Sequence, residues 1–187
     1  MAVEYDSLIK NETWSLVPLP PGKNLVGCKW IYKTKFTSDG QIVKHKGRLV
    51  AKGFSQQEGI DYSETFAHVA KMNTIRTILS LVASYKWYIH QMDVKSASLN
   101  DNLNEEIYMQ QPPSFITTET SSLVCKSNKS LYGLKQAPRA WYEKIDTYFL
   151  SNGFKRCKYD SNLYVKNFGY EILIIVLYVD DLIITNN

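Results

Sequence analysis

Two adjacent carboxylates stand where the sequence is otherwise apolar. The tetrapeptide Tyr178-Val179-Asp180-Asp181 lies between the segments ILIIVL and LIIT, which are typical of strands. Buried carboxylates are costly unless they are paired, hydrogen-bonded or bound to a metal ion. One interpretation is therefore a metal-binding site, and the other is a polar hairpin tip, since aspartates are common in turns. The tetrapeptide alone does not decide between them.

A third carboxylate, Asp93, also ends an apolar segment, between Met92 and Val94. If the two strand ends are neighbours, Asp93 converges with Asp180 and Asp181. Carboxylate oxygens are ligands that Mg²⁺ prefers, and Mg²⁺ also binds phosphate oxygens. Three such ligands predict a site for two magnesium ions, one activating a hydroxyl nucleophile and the other stabilising a leaving phosphate group.

Several elements are needed to position these carboxylates. The sequence predicts a strand over Tyr88 to Val94, a strand NLYVKN, a turn at Gly169 and further strand structure over EILIIVLYVDDLIIT. It also predicts two helices. The first spans about 74 to 86, with Asn73 as its cap and an apolar stripe of Ile75, Ile78, Leu79 and Val82. The second begins near Pro138 and stops at Gly153, with an apolar face of Trp141, Ile145, Tyr148 and Phe149.

A β-hairpin is predicted nearer the start of the chain. Leu25 to Phe36 is rich in β-branched and aromatic residues, Ser38-Asp39-Gly40 is a turn signal, and Gln41 to Phe54 can return antiparallel. An extended lead-in precedes it at Pro18 to Gly22, because prolines exclude a helix or a central strand. The segment EEIYMQQ is a short strand candidate, and residues 114–123 are polar and predicted to be a loop. Helices interleaved with mainly antiparallel strands indicate an α+β fold.

The net charge of +4 is unevenly distributed. Residues 22–57 have a local charge of +7, from eight basic side chains against Asp39: Lys23, Lys29, Lys33, Lys35, Lys44, Lys46, Arg48 and Lys52. Residues 125–158 have a local charge of +6. Two basic segments on an acidic background are compatible with a groove for a polyanion, although charge alone favours solvated faces of helices and strands.

The 187 residues are enough for one sizeable domain with a buried core. Cys28, Cys125 and Cys157 are far apart in sequence and have no zinc-ligand spacing, so we interpret them as core thiols in a reducing compartment. The longest apolar stretch, Ile172 to Ile184, is short for a membrane span and contains two aspartates. We therefore expect an intracellular, cytoplasmic protein without a membrane partner.

The sequence resembles the reverse transcriptase domain of copia-type LTR retrotransposon polyproteins over nearly its whole length. The resemblance rests on separate blocks in the same order: NETWSLVPLPPGKNLVGCKWIYKTKF, KGRLVAKGFSQQEGIDYSETFAHVA, IHQMDVKSASLN, EEIYMQQPP, SLYGLKQAPRAWYEKID and LYVDDLIIT. It implies an RNA-directed DNA polymerase of right-hand architecture. Residues 22–87 would then be fingers-like, with the basic hairpin, and residues 88–187 mainly palm.

The resemblance also assigns roles to single residues. Asp93 and Asp180 would be metal-binding catalytic aspartates and Asp181 the third member of the set, holding two Mg²⁺ ions, or Mn²⁺ in their place. These ions would serve the attack of a primer 3′ hydroxyl on a deoxynucleoside triphosphate and the departure of pyrophosphate. Tyr178 and Val179 would shape the floor of the site beside the primer terminus.

Nucleotide-binding candidates come from three separate segments. Lys46, Arg48 and Lys52 would face the triphosphate or the template, with the register among the three left open. Val94 and Ser98 follow the first aspartate. In the block LYGLKQAP, Tyr132 and Gly133 are nucleotide-side candidates and Lys135 is a template contact, although Tyr132 could equally be core. The implied partners are an RNA or DNA template with its primer and deoxynucleoside triphosphates. In an intact element, the location would be a virus-like particle or the nucleus.

Two residues depart from the family pattern. Ser98 replaces an aromatic residue that blocks a ribose 2′ hydroxyl, which predicts easier ribonucleotide incorporation and restored selectivity in Ser98→Phe. Asp101 replaces the usual glycine of the same motif. The chain also ends soon after YVDD, where the family continues into the thumb and RNase H. From this we expect weak synthesis, and as an alternative function an inactive element remnant that binds nucleic acid or has no function.

Overall fold

A computed structural model describes residues 1–100, 103 and 105–187, with the backbone alone described at Ser98 and Asn100. The described part has a mixed α and β fold with three α-helices: α1 (Ala2–Lys10), α2 (Met72–Tyr85) and α3 (Ala137–Ser151). Its strands are β1 (Trp14–Val17), β2 (Leu25–Val26), β3 (Cys28–Phe36), β4 (Ile42–Ala51), β5 (Tyr88–Asp93), β6 (Tyr108–Met109), β7 (Val124–Ser127), β8 (Lys155–Arg156), β9 (Leu163–Phe168), β10 (Glu171–Tyr178) and β11 (Asp181–Asn186). Short 3-10 helices lie at Gly53–Ser55 and Ala97–Asn100.

The chain forms two compact units. Unit 1 comprises residues 1–65 and 98–140, and unit 2 comprises residues 66–97 and 141–187. Unit 1 contains a four-stranded sheet in the order β1-β7-β6-β2 and the separate hairpin β3-β4. Its core joins residues from both sheets to the 131–137 segment, including the fully buried Val26, Leu49 and Leu131.

The predicted hairpin is confirmed, with different limits. β3 and β4 pair antiparallel from Cys28 opposite Ala51 to Phe36 opposite Ile42. The first two residues of the predicted strand instead form β2, which pairs parallel with β6. Lys52 and Phe54, predicted as strand, follow β4 and lie at the Gly53–Ser55 turn. The hairpin is shorter because the chain pairs with β6 at one end and turns into the Gly53–Ser55 3-10 helix at the other.

Unit 2 is built on a five-stranded antiparallel sheet in the order β5-β11-β10-β9-β8. Alternate residues of β10 and β11 belong to two different core clusters. One contains Ile175 and Leu177 with the buried face of α3, and the other contains Ile174 and Val176 with α2. Because side chains alternate across a strand, the two helices cover opposite faces of this sheet.

Both predicted helices exist, but their buried faces differ from the predicted ones. Leu79 is 42% exposed, while Leu81 packs against the core beside Ile78. Tyr148 is 61% exposed, and Tyr142 is buried in its place. The α2 helix begins at Met72, so Asn73 lies inside it and does not cap it. EEIYMQQ contributes a strand of two residues, Tyr108–Met109, and residues 114–123 form a loop as predicted.

Two of the three cysteines are buried in the core, as predicted. Cys28 and Cys125 are buried in unit 1, and Cys157 is half-buried. Burial raises the pKa of Cys28 to about 11 and that of Cys125 to about 12, so both stay protonated at neutral pH. Among the residues that the structure describes, no helix is long and apolar enough to cross a membrane.

Candidate active site

The YVDD tetrapeptide forms the tip of the β10-β11 hairpin. Tyr178 and Asp181 are the last paired residues of the two strands, so Val179 and Asp180 are the two residues of the loop. The tetrapeptide therefore does form a polar hairpin tip, which was one of the two interpretations of the sequence. Such a tip also suits a functional site, because Tyr178 and Val179 are 40% and 50% exposed and the two aspartates are half-buried.

The register of β5 against β11 brings two of the predicted carboxylates together. Asp93 is directly opposite Asp181 in this antiparallel pair. Residues directly opposite one another have Cβ atoms about 5 Å apart and project from the same face of the sheet. Asp93 is exposed, whereas Asp181 is half-buried, with Gln91 Nε2 at 3.5 Å from its Oδ1. Two like charges opposite one another repel, and a cation bound between them would remove that repulsion.

Asp180 joins this arrangement through its backbone. The N–H of Val94 donates a hydrogen bond of 2.9 Å to the Asp180 carbonyl oxygen, which extends the β5 pairing into the loop. Within residues 1–100, 103 and 105–187, no three His, Cys, Asp or Glu side chains are grouped so that they could hold a metal ion. Asp93 and Asp181 thus form a pair, and the three-carboxylate arrangement stays a prediction.

The nucleotide-binding candidates of the basic hairpin lie in unit 1. Lys46 is opposite Lys33, and Arg48 is opposite Ile31 with its guanidinium 4.6 Å above the centre of the Tyr132 ring. Tyr132 is half-buried, so it is neither a core residue nor a free surface ring. Lys52 follows the end of β4, and its N–H donates to the Gly27 carbonyl oxygen.

The loop over residues 131–136 packs backbone to backbone against the end of β4. The Ala51 N–H donates a 2.8 Å hydrogen bond to the Tyr132 carbonyl oxygen. A Cβ atom at Gly133 would overlap the Ala51 carbonyl oxygen, and one at Gly53 would overlap the Gly133 carbonyl oxygen. Glycine is therefore required at both positions by close approach, and Gly133 additionally has φ +95°.

A buried amide network that the sequence did not reveal fixes the same loop. Gln56 Nε2 donates to Gln136 Oε1 at 3.0 Å, and Gln56 Oε1 accepts from the Lys135 N–H at 2.8 Å. Gln136 Nε2 donates to the Asp61 carbonyl oxygen at 3.1 Å. All three of Gln56, Gln136 and Asp61 are at least 95% buried. Glutamines that are separated by 80 residues in sequence carry no local signal of pairing.

Lys135 itself is oriented by an aromatic partner. Its Nζ donates to the Tyr62 hydroxyl at 2.9 Å and lies 4.8 Å from the centre of that ring. Of the remaining candidates, Val94 is half-buried against the α3 side of the sheet. Ser98 lies in the Ala97–Asn100 helix with its side chain outside the described structure, and Asp101 lies outside the described residues. The predictions for these two residues therefore stay predictions.

Comparison with known proteins gives a consistent result. Residues 11–187 match the family described as reverse transcriptase (RNA-dependent DNA polymerase). The retrovirus-related Pol polyprotein from transposon RE2 of Arabidopsis thaliana is 46% identical over 188 residues, which is 100% of this chain and 13% of that protein. The one from transposon TNT 1-94 of Nicotiana tabacum is 49% identical over 185 residues, 98% of this chain and 14% of that protein. The Transposon Ty1-LR2 Gag-Pol polyprotein of Saccharomyces cerevisiae is 31% identical over 193 residues, 97% of this chain and 10% of that protein.

Proposed function

Because the chain belongs to the reverse transcriptase (RNA-dependent DNA polymerase) family, we propose that it adds deoxynucleotides to the 3′ hydroxyl of a primer on an RNA or DNA template. The observation that carries this proposal is the direct pairing of Asp93 with Asp181 at the YVDD tip. The chain spans 13% to 14% of the plant Pol polyproteins it matches, and their thumb and RNase H regions are proposed as its partners.

The donor set suits hard divalent cations. Asp93 and Asp181 present carboxylate oxygens from paired positions, and Asp180 adjoins them in the loop. We assign all three as ligands for Mg²⁺, with Mn²⁺ as a substitute. When bound, such ions lower the pKa of the attacking hydroxyl and stabilise the leaving pyrophosphate. Tyr178 and Val179, both exposed, are assigned to the floor beneath the primer terminus.

The basic hairpin supplies the second part of the proposal. Its register places its strand lysines on one face, because Lys33 is opposite Lys46 and Lys35 is opposite Lys44. By strand alternation, Arg48 and Lys29 belong to that face too. Directly opposed like charges destabilise a hairpin. Within residues 22–57, Asp39 at the turn is the one acidic residue that could offset this repulsion. A row of phosphates from a template strand would offset it.

Tyr132 and Gly133 are assigned to the incoming triphosphate, and Lys135 is assigned to the template. Arg48 and Lys135 are each held over an aromatic ring, and Lys52 follows the strand that carries Arg48. Oriented cations stabilise charge that develops on phosphate oxygens during transfer. We assign residues 22–87 to the fingers and residues 88–187 mainly to the palm, with Val94 and Ser98 on the nucleotide side. The reaction is placed inside the cell, in the cytoplasm, a virus-like particle or the nucleus.

Primer extension by the purified chain tests this function. We expect template-dependent extension with Mg²⁺ or Mn²⁺ and a loss of at least about 100-fold in Asp93→Asn and Asp180→Asn, because a misplaced or missing charge removes transition-state stabilisation. Glu171→Gln is the matched control, since Glu171 is an exposed carboxylate at the far end of β10. Extension that survives in the Asn variants would exclude this site.

A second candidate function is binding of nucleic acid without catalysis. It is favoured by the one-sided cation face of the hairpin. This function predicts binding of the template strand in the absence of divalent ions and no extension by the wild-type chain. Extension by the wild-type chain would rule it out.

A further inference from the structure

The loop that carries Asp180 is held in an unfavourable backbone conformation. Val179 has φ +56°, although it is β-branched and such residues strongly avoid positive φ. A two-residue hairpin loop with positive φ at its first position normally has glycine there. Strain of this kind costs on the order of 1–3 kcal/mol and persists where the surroundings enforce it. Val179 is 50% exposed, so side-chain burial does not supply that enforcement.

Two hydrogen bonds from outside the hairpin fix the loop carbonyls. The indole Nε1–H of Trp141 donates to the Val179 carbonyl oxygen at 2.8 Å. The N–H of Val94 donates to the Asp180 carbonyl oxygen at 2.9 Å. Both successive peptides of the loop are therefore anchored, one from α3 and one from the end of β5.

Trp141 is well suited to orient the loop. It is 7% exposed and packs in the same cluster as Ile145 of α3 and Leu182 of β11. An indole has a single N–H donor in the plane of its ring, so a packed ring fixes the direction of that hydrogen bond. Leu182 directly follows Asp181. The Trp141 side chain therefore contacts both the loop peptide and the core next to the carboxylate pair.

We propose that Trp141 is a positioning residue for the carboxylate pair. It holds the Val179 peptide in its strained conformation and thereby keeps Asp181 in register with Asp93 and Asp180 in place. Without this hydrogen bond, Val179 can relax toward negative φ, which changes the turn type and displaces Asp180. That Trp141 anchors the loop follows from its contacts. That this anchoring matters for metal binding rests on the proposed function.

The test compares variants of the whole chain. Trp141→Phe keeps a packed aromatic ring without the donor, and Val179→Gly removes the strain. Trp30→Phe is the matched control, because Trp30 Nε1 donates a similar bond of 3.0 Å to the Pro113 carbonyl oxygen in unit 1. The first readout is the set of backbone amide NMR shifts of residues 93–94 and 178–181. We expect Trp141→Phe to change them and Trp30→Phe to leave them unchanged.

The second readout is the affinity for Mn²⁺, measured by electron paramagnetic resonance without nucleic acid. We expect about a three- to tenfold weaker affinity in Trp141→Phe, which corresponds to the loss of one hydrogen bond. The double variant with Val179→Gly should bind Mn²⁺ like Val179→Gly alone, since an unstrained loop no longer needs the indole.

The outcomes separate the two proposals. Unchanged amide shifts in a folded Trp141→Phe variant would overturn the positioning role, as would Mn²⁺ binding of unchanged strength. If Trp141→Phe changes the amide shifts but the wild-type chain binds no Mn²⁺, the anchoring of the loop by Trp141 is supported and the metal site of the proposed function is refuted.

Discussion

At the residue scale, two glycines determine how the 131–136 loop meets the end of β4. Neither Gly53 nor Gly133 has room for a Cβ atom, because each faces a backbone carbonyl oxygen. Their close approach permits the hydrogen bond from the Ala51 N–H to the Tyr132 carbonyl oxygen and places Tyr132 beneath Arg48. The orientation of a proposed nucleotide-binding cation therefore depends on two residues without side chains.

Gly133→Ala should cost about 2–4 kcal/mol in the free energy of unfolding, because it adds overlap with backbone atoms to the cost of positive φ. Gly59→Ala is the matched control. Gly59 has φ +78° but open space around it, so its substitution should cost about 1 kcal/mol. Urea unfolding followed by tryptophan fluorescence measures both. Equal losses in the two variants would show that the close contact contributes nothing.

At this scale, the sequence predicted that three carboxylates converge but not which two lie directly opposite one another. The motifs pointed to Asp93, Asp180 and Asp181, since charged residues between apolar segments are conspicuous. Which two of them are neighbours depends on the register of β5 against β11, and register is a tertiary property. The hydrogen bonds of the Gln56 and Gln136 amides and of the Trp141 indole could not be predicted for the same reason, since their partners are distant in sequence.

At the element scale, a carboxylate from another part of unit 2 binds the start of α2. Asp160 Oδ2 accepts hydrogen bonds from the Lys71 N–H at 3.0 Å and from the Thr74 hydroxyl at 2.5 Å, and its Oδ1 accepts from the Asn162 N–H. Burial raises the pKa of Asp160, but these hydrogen bonds outweigh burial and hold the pKa below its usual value of 3.8. The charged carboxylate thus stabilises the start of the helix.

Asp160→Ala should lower the free energy of unfolding by about 1–2 kcal/mol at neutral pH, as expected for the loss of hydrogen bonds to a charged group. Because the folded-state pKa is depressed, this contribution is present above pH 3.8 and is lost as the pH falls through the folded-state value. Wild type and variant should therefore converge in acid. Thermal unfolding over a pH series measures this, with Asp39→Ala as an exposed control. A difference that stays constant into acid would contradict a role for the charged carboxylate.

Elements with local signals were predicted well, and those that depend on distant partners were not. The β3-β4 hairpin and the β9-β10-β11 strands have turn residues and β-branched segments in sequence. No element was predicted before Pro18, whereas the structure has α1 and β1 there. The β1 strand exists through its pairing with β7, more than 100 residues further along the chain. Leu79 and Tyr148 were wrongly assigned to buried faces. The spacing of apolar residues alone does not show where a buried helix face ends.

At the scale of the whole molecule, the small net charge conceals a strongly one-sided distribution. The sequence showed the excess of cations in residues 22–57, but their placement on one face of the hairpin required the strand register. Six cations share that face: Lys29, Lys33, Lys35, Lys44, Lys46 and Arg48. Lys46 is half-buried, and the other five side chains are exposed.

Binding of a single-stranded RNA to the whole chain should weaken steeply with salt. If all six cations of the face neutralise phosphates, the logarithm of the association constant should fall with the logarithm of salt concentration with a slope of about −4. Lys33→Gln combined with Lys46→Gln should make that slope shallower by about 1.4. Lys155→Gln with Lys158→Gln is the matched control from the second basic segment. Equal slopes for both double variants, measured by fluorescence anisotropy, would refute the hairpin as the binding face.

The position of β5 at the rim of its sheet has a consequence for how the site is lost on heating. Among the described residues, β11 is the neighbour of β5, and all six residues of β5 are exposed. Edge strands with few buried contacts open in local fluctuations at a fraction of the free energy of global unfolding. Asp93 is thus attached to an edge of unit 2 that can open before the rest of the sheet. Warming should abolish the carboxylate pair while circular dichroism still reports a folded chain, so heat inactivation would precede denaturation.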